Sequence, residues 1–198
     1  MRALWHNQSE RQITMRTTAD TFLVSKPGRN SYAAKLWSKR GHLLLANRFR
    51  LNLARTPAVY SDDRILGSAF IPVVPKSEGD IHCKAWCAWL NATPGIVAYL
   101  NIRQKQLTYP NYSLDGLRSL PVPADECDLP SLAAAFDELA DQPLAPLPSM
   151  AEDPIRQRLD GAVAAAVPGL DEEILADWRR KIPLEPTVNN KREPLSLS

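Results

Sequence analysis

With 198 residues the chain is long enough to bury a substantial core, as one domain with a tail or as two small domains. Its composition, 44% apolar and 23% charged, is that of an ordinary globular protein, and no run of 18 apolar residues offers a membrane-spanning helix. The net charge of +2 hides a division: residues 1–118 hold 17 Lys and Arg against 7 Asp and Glu (+10), and residues 119–198 hold 7 against 15 (−8).

Such a split fits a basic portion meeting a polyanion beside an acidic, partner-facing appendage, or two halves that attract each other within one molecule. Cys83, Cys87 and Cys127 are odd in number in a chain with no secretory signal, which predicts reduced thiols and a cytoplasmic location. Cys83 and Cys87 lie four apart beside His82, yet no second ligand pair follows. Both alternate with Trp86 and Trp89, so core packing is the expected role rather than zinc binding.

Residues 1–12 are polar and carry little signal. Ile13–Val24, with its β-branched residues and partial alternation, predicts one or two strands, and Pro27–Gly28 predicts a type II turn. Ser31–Arg40 allows a short helix burying Leu36 and Trp37, with Lys35, Lys39 and Arg40 outside and Gly41 ending it. Beyond His42–Leu45, Phe49 and Leu51 alternate with Arg48, Arg50 and Asn52 as if across a strand. That row is either a charged edge strand or a surface that reads DNA, since Arg and Asn bind guanine and adenine edges bidentately. After Arg55–Thr56–Pro57, strands are expected over Ala58–Tyr60 and Ile65–Val74, separated by a turn at Asp62–Asp63. Gly67 is expected at a bulge or close approach and Pro72 at a sheet edge.

The stretch from Ile81 to Pro123 is the densest in signal. Trp86, Trp89 and Leu90, then Ile96, Val97, Tyr99 and Leu100, mark two short helices over residues 81–101. Between them Asn91 or Thr93 supplies the expected N-cap and Pro94 the first turn. Arg103, Lys105, Tyr109 and Tyr112 lie in a basic, aromatic loop without helical period. Ser113 caps a helical turn over Leu114–Arg118, and Leu120–Pro123 leaves extended. Further on, helices are expected over LAAAFDELA, capped by Asp128–Ser131, over Met150–Val167 with Asp153–Pro154 as a start signal, and over Asp171–Lys181 with acids first and bases last. Gln142–Pro148 reads as a linker and 182–198 as an unfolded tail. The predicted class is α+β, with an antiparallel β-rich recognition-like domain at 1–123 and a helical acidic appendage at 124–181.

The segments ANRFRLNLARTPAVYSDDRILGSAFIPVVP, AWLNATPGIVAYLN and KQLTYPNYSLDGLRSLPVP resemble the target-recognition region at the C-terminal end of adenine-specific DNA methyltransferases of restriction-modification systems. Specificity subunits of type I systems are similar in outline. The resemblance covers roughly residues 40–123. It implies sequence-specific binding of double-stranded DNA through Arg48, Arg50, Asn52, Arg103, Lys105, Tyr109 and Tyr112, beside a methyltransferase catalytic chain or domain.

Catalytic residues cannot be carried over. The chain has no glycine-containing S-adenosylmethionine loop after a strand and no Asp or Asn followed by two prolines and an aromatic, so that cofactor would belong to the partner. His6, His42 and His82 are scattered and form no nucleophile–base spacing. Asp62 and Asp63 with Lys76 are the nearest approach to a metal-dependent nuclease. The rival readings are a scaffold that binds protein through its helices and a truncated, inactive methyltransferase remnant.

Overall fold

The computed structural model describes residues 1–5, 10–74, 80–104 and 110–189. Five strands, β1 (Arg2–Leu4), β2 (Thr21–Phe22), β3 (Gly41–Ala46), β4 (Ala58–Gly67) and β5 (Phe70–Val73), form one sheet in the order β2-β1-β4-β3-β5. The fold is α+β, but the sheet is mixed where an antiparallel one was expected. β1 runs parallel to β4, pairing Ala3 with Leu66 and Leu4 with Gly67, and the other neighbours are antiparallel.

Local chemistry explains most of the turns. Arg29 N–H donates to the Lys26 carbonyl at 3.0 Å and Gly28 sits at φ 76°, the geometry that Pro27–Gly28 predicts. Pro72 lies on β5, an edge strand, where its missing N–H costs no ladder bond. A Cβ at Gly67 would overlap the Phe70 carbonyl oxygen, so the close approach expected there is real. Asp62 and Asp63 do not turn the chain. They lie within β4, where the register shifts between Gly41 and Leu43, and bulge outward to meet the guanidiniums of Arg16 and Arg2.

The expected strand at Asn47–Asn52 is absent. The chain leaves β3 after Ala46, Arg48 makes one isolated bridge to Asn111, and the Arg50 carbonyl starts a turn by accepting from Leu53 and Ala54. Phe49 and Leu51 still point inward, because burial and not ladder pairing set their alternation.

Helix α1 (Asn30–Trp37) buries no residue, and Leu36 and Trp37 are only half-covered. Helix α2 (Asp80–Asn91) packs against β3 and β4, and α3 (Thr93–Ile102) packs against α2. The Trp86 and Trp89 indoles donate to the Pro123 and Pro121 carbonyls at 3.0 and 2.9 Å, which fastens the proline-rich exit to α2. Cys83 and Cys87 are core residues, and burial pushes the Cys83 thiol up to about 11. No side chain of α3's own N-terminus caps it. The cap comes from Asp160, far along the chain, whose carboxylate accepts from Thr93 N–H at 2.8 Å and Thr93 Oγ1 at 2.7 Å. Asn91 instead donates to the Ala58 and Cys87 carbonyls.

Gly95 lets α2 and α3 turn so tightly, since a Cβ there would overlap backbone atoms of Trp89 and Leu90. Gly95→Ala is expected to destabilise the fold by about 2–3 kcal/mol by forcing the helices apart. A chemical-denaturation midpoint unchanged from wild type would contradict that packing.

After α4 (Leu114–Arg118), the helices α5 (Leu129–Leu139), α6 (Pro154–Ala166) and α7 (Glu172–Lys181) start at the side-chain caps Asp128, Asp153 and Asp171. They are not an appendage. Leu132, Phe136 and Leu139 share one core with the sheet, and Phe136 meets Tyr60 edge-on at 5.1 Å. Gln142–Pro148 is no free linker: Leu144 and Leu147 are buried, and Leu144 N–H donates to the Ile13 carbonyl. Residues 182–189, expected as unfolded tail, make a 3-10 turn over Ile182–Leu184 and α8 (Pro186–Asn189), docked by buried Ile182 and Val188. Residues 190–198 lie outside the described residues.

Candidate nucleic-acid interface

The sequence-predicted contact residues do not share one environment. The bridge between Arg48 and Asn111, with Tyr112 N–H on the Asn47 carbonyl at 2.8 Å, brings the two predicted contact stretches side by side. Arg48 and Arg50 are exposed there and Asn52 is half-buried. Lys105 and Tyr109 lie outside the described residues, as does Lys76.

Tyr112 and Arg103 require correction. Tyr112 is 3% exposed and stacks on Phe49 at 5.0 Å with Tyr99 edge-on at 5.2 Å, so its ring is core and cannot receive a base. Burial pushes its phenol pKa up, with only Arg103 opposing. Arg103 donates to Glu185 at 2.7 Å. Burial pushes the Glu185 carboxyl up, but hydrogen bonds from Thr187 and the Arg103 charge outweigh it and hold the group below its usual range.

That pair belongs to a wider pattern. Arg16 reaches Asp137 at 3.4 Å and Asp141 at 3.3 Å, and Lys84 reaches Asp137 at 3.0 Å. Cations of the basic portion are thus answered by acids of the acidic portion, and part of the charge division is spent within the molecule. Asp62 and Asp63 pair with Arg16 and Arg2. His82 Nε2 lies 3.4 Å from Asp125, and among the described residues no group of three His, Cys, Asp or Glu is placed to hold a metal ion. Among them, too, no helix is long and apolar enough to cross a membrane.

One stretch of the sequence carries cations with no acids of its own. From Thr21 to Ser61 the sequence has eight Lys and Arg and no Asp or Glu. Lys26, Arg29, Lys35 and Lys39 are exposed on the turn before α1, on α1 and just beyond it, with Tyr32 63% and Phe22 71% exposed among them. An eight-residue helix that fully buries nothing contributes little to the core, and Tyr32 and Lys35 on it are exposed. Sequence reading placed Lys35, Lys39 and Arg40 outside this helix but assigned the contact elsewhere. The acid-free run was the signal that could have found it.

The second exposed cationic group, Arg48 and Arg50, leaves the far end of β3. The six residues of β3, roughly 17 Å of extended chain, lie between the two groups in the sequence.

Compared with protein-family models, curated proteins and solved structures, the chain matches none.

Proposed function

We propose that this chain is a DNA-recognition module serving an adenine-N6 methyltransferase of a restriction-modification or phage-defence system, with S-adenosylmethionine and catalysis supplied by another chain or domain. The resemblance over residues 40–123 names the system, and the exposed cations Lys26, Arg29, Lys35, Lys39, Arg48 and Arg50, in a stretch of sequence without acids, support the DNA contact. Extruding a base costs a few kcal/mol, so an enzyme that modifies bases gains from a unit that anchors and identifies the duplex first. Here Lys26, Arg29, Lys35 and Lys39 take phosphates, and Arg48, Arg50 and Asn52 are the candidates for base edges.

The test is fluorescence-anisotropy titration of a short duplex at salt from about 50 mM to about 200 mM. Each phosphate contact contributes about 0.9 to the slope of log affinity against log salt. The quadruple Lys26→Ala, Arg29→Ala, Lys35→Ala, Lys39→Ala variant is therefore expected to flatten the slope by about 3–4. Arg103→Ala, whose guanidinium already serves Glu185, is expected to leave it unchanged. Affinity that ignores salt, or no binding, would overturn this reading in favour of a protein-binding scaffold.

A further inference from the structure

Beside α1, Arg2, Phe22, Trp37, Arg40, Asp63 and Arg64 line a cleft of about 430 Å³. Its walls are aromatic and cationic together. The Arg40 guanidinium lies 4.6 Å over the Trp37 ring and is fixed there by donating to the Trp37 carbonyl at 3.0 Å. Arg64 donates to the Arg40 carbonyl at 3.1 Å, so the segment after α1 and the outward bulge of β4 are tied together at the cleft. Arg2 is paired with Asp63, and Phe22 leaves 71% of its surface to solvent.

An apolar ring 71% exposed at a sheet edge costs solvation that the fold does not recover, and three guanidiniums against one carboxylate leave the cleft positive. The ligand that answers both features is flat, aromatic and anionic. Bases stack on aromatic rings and on arginine planes, and guanidiniums bind phosphate bidentately.

We propose that this cleft takes one unpaired nucleotide of a nucleic-acid strand. Its base lies between the Phe22 ring and the stacked Arg40–Trp37 pair, and its phosphate is held by Arg64. Asp63, oriented by Arg2, offers an acceptor to an amine on the base edge. This rests on the reading that α1 lies against DNA, and it adds a preference for a site at which a nucleotide has left the stack. A fully paired duplex touches the lysines without entering the cleft.

The experiment uses the full chain and two kinds of probe. Two short duplexes, one fully paired and one carrying a single unpaired 2-aminopurine, report affinity by anisotropy and stacking by fluorescence quenching. dAMP alone, followed by NMR shift perturbation, reports the cleft without DNA. Wild type is expected to favour the unpaired probe about tenfold, the size of one base–aromatic stack. The 2-aminopurine should be quenched on binding. Phe22→Ala, on an exposed ring whose loss leaves the core intact, and Arg40→Ala are each expected to abolish the preference and the quenching while keeping affinity for the paired duplex within about threefold.

Equal affinity for the two duplexes together with no saturable dAMP shift would overturn the cleft and leave the DNA-binding surface standing. Saturable dAMP binding lost in Phe22→Ala, with no duplex binding, would support the cleft and overturn the surface. A preference that survives both substitutions would also overturn the cleft.

Discussion

Replacing Arg156 by alanine is expected to destabilise the fold by about 3–5 kcal/mol, enough to lower the thermal midpoint by roughly 10 °C or more. The side chain is fully buried on α6, and burial pushes its pKa down to about 10, with Asp153 and Asp160 pulling it back up, so it is still charged at neutral pH. Its guanidinium donates to the carbonyls of Asn91, Arg55 and Ala145 and lies 3.5 Å from Asp153. One side chain therefore ties the α2–α3 junction, the loop before β4 and the stretch before α6.

Truncation strands three carbonyls and a carboxylate and leaves a void. Asp153 is less exposed to the loss, because it also accepts from Ala145 N–H at 2.8 Å and Ile155 N–H at 3.0 Å. Arg156→Met fills the volume without the donors and is expected to fall between alanine and wild type. Calorimetry on the two variants checks the ranking. Equal midpoints for alanine and wild type would mean that the buried cation joins nothing.

Arg179→Ala is expected to make stability depend steeply on pH. Asp160 is 2% exposed, and burial pushes its carboxyl above the ordinary range despite hydrogen bonds from Thr93 and Arg179. Removing Arg179 takes away a cation bonded to that carboxylate and raises the folded-state value further. The unfolded chain releases this proton near about 3.9. Above that pH the folded protein binds more protons than the unfolded one, so stability falls as pH rises until the folded-state value is passed.

Wild type carries the same trend in weaker form. In Arg179→Ala the loss at neutral pH should approach the roughly 3 kcal/mol typical of an unpaired buried charge. Urea midpoints from about pH 4 to about pH 7 measure it against the unfolded-state value near 3.9. Adding Asp160→Asn should flatten the profile, and a flat profile in Arg179→Ala itself would contradict the linkage.

Signals that act within one turn of chain were legible in the sequence. The caps at Asp128, Asp153 and Asp171, the Pro27–Gly28 turn and the break between α2 and α3 each depend on residues two or three positions apart. Asn91 marked that break correctly, yet its amide serves Ala58 across the core and the cap comes from Asp160. Nothing local to Thr93 announces a carboxylate 67 positions away.

The candidate site suffered most from such distances. Tyr112 reads as a loop aromatic because its sequence neighbours are polar, while its spatial neighbours are Phe49 and Tyr99. Arg103 reads as available because Glu185, its partner, lies in a stretch without periodicity. Alternation at 48–52 mimics a strand because an irregular segment with two inward hydrophobes has the same pattern.

The pairing of Arg16 N–H with the Ala140 carbonyl at 2.9 Å, and of Leu144 N–H with the Ile13 carbonyl at 2.8 Å, also governs the order of events during synthesis. Residues 13–16 emerge from the ribosome long before the segment that satisfies these backbone groups, so the Arg16 N–H and the Ile13 carbonyl stay open until translation passes residue 144. Contacts so distant along the chain slow closure. During that interval the emerging polypeptide is a natural client for chaperones.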